Sequence, residues 1–131
     1  MGCEDVVQVL KEQGNTEYKK QNFLKAAALY SRAIKEDPNN AVLFSNRAEA
    51  LLQLKKVTKA LQDAEECIKL KPDWEKGYFR KGSVLESMER YAEALEAYEH
   101  AASLKPDNRD IQAKVKNMTR YIRKLQQKQN I

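Results

Sequence analysis

Two cysteines, one histidine and one tryptophan in 131 residues leave little room for several kinds of chemistry. Cys3 and Cys67 form neither a paired framework nor a metal-ligand spacing, so a disulfide scaffold and a zinc site are both excluded. A reduced, cytoplasmic setting is expected instead. His100 has no Ser, Cys or Asp arrangement around it that makes a catalytic set, and no Gly-rich phosphate loop, HExxH or CxxC occurs. No enzyme activity, cofactor or metal is therefore expected. No run approaches the roughly 18 apolar residues of a membrane span, and no apolar segment near the N-terminus reads as a secretory signal. The MGCEDV start offers Gly2 and Cys3 but sets Val6 where myristoylation wants Ser or Thr, a weak signal. No membrane association is expected.

Acidic residues are scarce in one place only. Residues 109–131 hold Arg109, Lys114, Lys116, Arg120, Arg123, Lys124 and Lys128 against Asp110 alone. That surplus of six exceeds the +5 of the whole chain, leaving residues 1–108 at −1. The basicity belongs to one segment, which argues against a nucleic-acid-binding body.

Proline is also rare, and its placing is the strongest signal in the chain. Pro38, Pro72 and Pro106 lie 34 residues apart. Aligned on them, the chain divides into 7–40, 41–74 and 75–108, with Ala26, Ala60 and Ala94 in register and Ala33, Cys67 and Ala101 seven places later. A repeat of this period decides the fold before any local reading does. In the third unit, Tyr78, Val84, Leu85 and Met88 form one helical apolar stripe, and Tyr91, Leu95, Tyr98 and Ala102 a second. Each unit thus reads as two helices that approach closely over small residues. The prolines stop each pair, and Asn39-Asn40, Asp73 and Asp107-Asn108 offer capping oxygens to the helix that follows. Ile111, Val115, Met118, Ile122 and Leu125 recur at four, three, four and three, predicting a capping helix over 109–128 with a charged outer face.

A 34-residue helix–turn–helix with Gly14 and Gly82 in the eighth place, alanine in the twentieth and a closing proline resembles the tetratricopeptide repeat. The second unit departs from the pattern with Ala48 where glycine is usual. The resemblance implies an all-α chain forming a single domain, a right-handed superhelix of three repeats plus the cap, whose first helices line a concave groove. On those helices stand Lys11 and Asn15, then Asn46, then Lys76 and Arg80. These five are similar, residue by residue, to the two-carboxylate clamp of co-chaperone tetratricopeptide domains. The KPDW, KGY and RK segments between Lys71 and Lys81 most resemble the first such domain of the Hsp-organising co-chaperones. The resemblance implies that the five grip an acidic C-terminal peptide ending Glu-Glu-Val-Asp, from chaperones of the heat shock protein 70 or 90 class. Glu49, Gln53 and Ser83 are further groove candidates. A monomer that binds peptide and no nucleic acid is expected. The competing reading is a repeat scaffold that binds another protein or RNA through its convex face or its basic C-terminal helix.

Overall fold

The computed structural model describes the backbone of residues 3–129 and the side chains of residues 5–129; Gly2 and the Cys3 side chain lie outside that range. Among the described residues there are seven α-helices and no strand. The chain divides after Pro72 into two compact units.

Unit 1 contains α1 (Cys3–Lys19), α2 (Phe23–Glu36), α3 (Ala41–Gln53) and α4 (Val57–Leu70), each packed on its neighbour in sequence. Its core is built largely from small residues. Ala26, Ala33, Ala48, Ala60, Ala64 and Cys67 are all fully buried around Leu43 and Tyr30. Side chains no longer than a methyl or thiol let helix axes come close, which is why these positions recur in register. Cys67 is a free, buried thiol that fills one of them.

A buried ion pair ties α3 to α4. The Arg47 guanidinium donates to both Asp63 oxygens, Nε to Oδ2 at 2.7 Å and an Nη to Oδ1 at 2.8 Å, and also to the Ser31 hydroxyl of α2 at 3.1 Å. Both side chains are largely shielded from water. The two-pronged geometry compensates the desolvation of each charge, and losing either partner would strand the other.

Unit 2 contains α5 (Glu75–Ser87), α6 (Tyr91–Leu104) and α7 (Arg109–Gln129). Ala94 and Ala101 occupy the same small-residue places as in unit 1, buried beside Val84, Leu85 and Tyr98. The seam expected on α7 faces α6: Ile111 and Met118 are buried, with Val115, Ile122 and Leu125 partly covered. Tyr121 adds an edge-on contact to Tyr91 at 4.7 Å between ring centroids. Lys114 reaches 3.4 Å from the Glu86 carboxylate, which also accepts from the Tyr98 hydroxyl at 2.7 Å. One carboxylate thereby links three helices.

The turns inside the repeats are alike. Gln21, Lys55 and Glu89 each adopt a positive φ, between 60° and 66°, at the same repeat position. In each case the amide of that residue bonds back three residues and the next amide bonds back five, as in Asn22 to the Glu17 carbonyl at 2.9 Å. This is the Schellman closure of a helix, normally made by glycine. Here three non-glycine residues carry its strain.

The capping expectation holds at two sites and fails at one. Asn40 Oδ1 accepts from the Val42 amide and Asn108 Oδ1 from the Ile111 amide, both at 3.1 Å. Asp73 does not cap α5. Trp74 occupies the N-cap position with no side-chain bond, because the helix starts one residue later than an Asp73 cap requires.

The glycines have a steric cause. A Cβ on Gly14 would sit 2.6 Å from the Tyr30 ring, and one on Gly82 would sit 2.6 Å from the Tyr98 ring. Each tyrosine lies sixteen residues after its glycine. At the matching places the second repeat has Ala48 and Ala64, both fully buried. Losing the ring removes the need for glycine, which accounts for the departure at Ala48.

Candidate functional site

In unit 1, α1 and α3 place Asn15 and Asn46 side by side. Asn15, Tyr18, Lys19, Tyr30, Asn46 and Glu49 line a cavity of about 190 Å³. The Asn15 carbonyl oxygen accepts from the Tyr30 hydroxyl at 2.5 Å and from Asn46 Nδ2 at 3.4 Å. With its oxygen engaged, the groups the Asn15 amide has left are its Nδ2 donors. Burial, and then the nearby Glu49 charge, push the Tyr30 hydroxyl up to about 12, so it remains a donor at neutral pH. Glu49 itself accepts from the Tyr18 hydroxyl at 2.8 Å. Lys11 stands one helical turn before Asn15, half-exposed and outside this cavity's lining.

In unit 2, Lys76 and Arg80 lie one turn apart on α5. They share a recess of about 150 Å³ with Glu75, Phe79, Asn108, Asp110 and Ile111. Two like charges at this spacing repel by a few tenths of a kcal/mol on a bare helix; two carboxylates, Glu75 and Asp110, line the same recess. Lys76 is exposed, with its Nζ 6.0 Å from the centre of the Trp74 ring, while Arg80 is half-buried. Phe79 and Ile111 supply an apolar wall beside the cations. Phe79 in turn packs at a tilt against Tyr98, 5.6 Å between centroids.

Among the other groove candidates, Glu49 joins the Asn15–Asn46 cavity. Gln53 does not: it is the exposed last residue of α3. Ser83 Oγ lies 3.3 Å from the Tyr98 hydroxyl, engaged in the packing of α5 on α6. His100, set aside as a base, stacks face to face on Tyr78 at 3.8 Å.

Several contributors are not evident from sequence alone. Tyr30 fixes the Asn15 amide, and Asn108, Asp110 and Ile111 border the Lys76–Arg80 recess. Tyr30 and Tyr98 do leave a signal, since both stand at one repeat position opposite a glycine. Asp110 and Ile111 of α7 leave none as recess residues, because they follow the last repeat. Among the described residues, no group of three or more His, Cys, Asp or Glu side chains is placed to hold a metal ion. No helix among them is long and apolar enough to cross a membrane.

The helix pairs with these spacings match tetratricopeptide repeat family models over residues 11–73 and again over 75–108, and the chain belongs to the tetratricopeptide repeat family. It is 37% identical over 114 residues to Hsp70-Hsp90 organizing protein 3 of Arabidopsis thaliana, covering 87% of this chain and 20% of that protein. It is 38% identical over 102 residues to the Protein STIP1 homolog of Dictyostelium discoideum, covering 78% of this chain and 18% of that one. The chain thus spans about a fifth of the length of these relatives. Among solved structures it is similar to the first TPR of Spaghetti (RPAP3) bound to the HSP90 peptide SRMEEVD, with 30% identity, a TM-score of 0.85 and coverage of 90% and 94% of the two chains. It is also similar to the second TPR domain of human RPAP3 in complex with the HSP70 peptide SGPTIEEVD, with 27% identity, a TM-score of 0.83 and coverage of 90% and 98%.

Proposed function

We propose that the chain is a protein-binding adaptor module that holds the acidic, Glu-Glu-Val-Asp-type C-terminal peptide of cytosolic heat shock proteins through a carboxylate clamp. The donors of this reading are Lys11, Asn15, Asn46, Lys76 and Arg80, the five residues similar to the family's clamp. A C-terminal aspartate carries two carboxylates on one residue, and holding both takes several fixed donors, the charged ones forming the stronger bonds. The observation that carries the reading is the Asn15 amide. Tyr30 and Asn46 occupy its oxygen, so it stands as a fixed N–H donor that receives an anion without adding charge repulsion. The module acts by binding alone, as a cytoplasmic monomer without chemistry of its own.

The test separates binding from folding. Arg80→Ala should leave the melting temperature nearly unchanged and cost about 1.5–3 kcal/mol of affinity for a Glu-Glu-Val-Asp peptide, roughly tenfold to a hundredfold. Asn46→Ala should behave in the same direction. Unchanged peptide affinity in both variants would reject the clamp, and loss of the fold in Arg80→Ala would make that residue structural.

A further inference from the structure

The second face of α7 is not used by the clamp. Arg109, Gln112, Ala113, Val115, Lys116, Thr119, Arg120 and Arg123 of α7, with Ala102 of α6, line an open cleft of about 780 Å³. The lining contains four cations and no carboxylate. None of the four cations is in an ion pair among the described residues. Arg109, Ala113, Lys116, Arg120 and Arg123 follow one another at four, three, four and three residues, a stripe on one side of the helix. At 1.5 Å per residue that stripe is about 21 Å long. Within this lining Ala113 lies in the cation stripe, while Val115 and Ala102 lie where α7 meets α6; both alanines end at Cβ, allowing another backbone to approach closely.

We propose that this α6–α7 cleft is a second docking surface, which takes an acidic amphipathic helix from a partner protein. Apolar side chains of that helix would lie on Ala102 and Val115 beside α6, and its carboxylates would meet Arg109, Lys116, Arg120 and Arg123 around Ala113. A bound helix presents its anchors every three or four residues, and the cations of this stripe recur with that period. A nucleic-acid strand fits it less well. Single strands are held by cations together with aromatic faces for base stacking, and no aromatic lines this cleft. Tyr121, the aromatic of α7, is engaged edge-on with Tyr91. The surface is independent of Lys11, Asn15, Asn46, Lys76 and Arg80, so it stands whether or not those residues form a clamp.

The experiment is fluorescence anisotropy on the whole chain at about 0.15 M salt. One probe is a stapled helix of about 18 residues with leucine on one stripe and glutamate flanking it. The others are a scrambled peptide of the same composition and a single-stranded RNA of similar length. The stapled helix should bind saturably, and the scrambled peptide about tenfold more weakly or worse. Arg120→Glu with Arg123→Glu should reduce helix binding at least about tenfold. Ala113→Trp, which sets a large ring between the cations and keeps every one of them, should do the same. All three positions are exposed, so the melting temperature should hold in each variant. No binding of the stapled helix, equal binding of the scrambled peptide, tighter binding of the RNA, or indifference to Ala113→Trp would each overturn the proposal.

Discussion

Replacing Gly82 by alanine and Tyr98 by alanine, singly and together, isolates the contact that sets the repeat's glycine. Gly82→Ala alone combines two opposing effects. Alanine is better than glycine inside a helix by about 1 kcal/mol. Its Cβ, however, would stand 2.6 Å from Tyr98 Cε1 and 2.7 Å from Cδ1. The ring cannot swing away cheaply, because Tyr98 is fully buried and its hydroxyl is held by Glu86 at 2.7 Å. Overpacking of this kind costs about 1–3 kcal/mol, so the single variant should range from neutral to about 2 kcal/mol less stable. Tyr98→Ala alone removes a buried ring and should cost about 3–5 kcal/mol. In the double variant the clash is gone and the helix gain remains, reproducing the Ala48 and Ala64 arrangement of the second repeat. The predicted coupling is therefore about 1–3 kcal/mol in favour of the pair. Urea unfolding of the four proteins, with m-values compared, measures it. Additivity to within about 0.5 kcal/mol would refute the steric account of the glycine.

Three further outcomes are expected. Lys55→Gly should raise stability by about 0.5–1 kcal/mol, because glycine relieves the positive φ at a net gain after its own entropic cost; thermal melting reads it, and a loss would argue that the Lys55 side chain matters more than its backbone. Arg47→Ala should destabilise by about 3–5 kcal/mol by leaving Asp63 buried without its partner, and Arg47→Ala with Asp63→Ala should recover part of that loss in urea titrations. Truncation after Asn108 removes Ile111 and Met118 from α6 and should lower the melting temperature or cause association, visible by light scattering. If residues 1–108 remain as stable and monomeric as the whole, α7 is not a cap.

The repeat positions were legible because packing acts on them directly. Ala26, Ala60 and Ala94, and Ala33, Cys67 and Ala101, recur at one spacing, and all six are fully buried. The apolar seam of α7 was legible for the same reason, since its period matches a helix face. The positive φ at Gln21, Lys55 and Glu89 was not, because glycine, the residue that usually announces it, is absent there. Nor was the Arg47–Asp63 pair, which joins residues sixteen apart on different helices and shows no local pattern. Asp73 looked like a cap on residue type, whereas the helix start that places Trp74 there is set by backbone geometry. At the candidate site, the five proposed donors follow from the resemblance to the family. The orientation of the Asn15 amide does not, because it depends on the Tyr30 hydroxyl reaching across from α2.

The central claim is that the ligand's terminal carboxylate is held by fixed donors. The direct test is a calorimetric titration of the whole chain with one Glu-Glu-Val-Asp peptide in two forms, free acid and C-terminal amide. The account predicts saturable binding of the acid and a loss of about 1.5–3 kcal/mol or more for the amide, because amidation deletes the α-carboxylate that Asn15 and Asn46 are proposed to receive. Equal affinity for the two forms would contradict it.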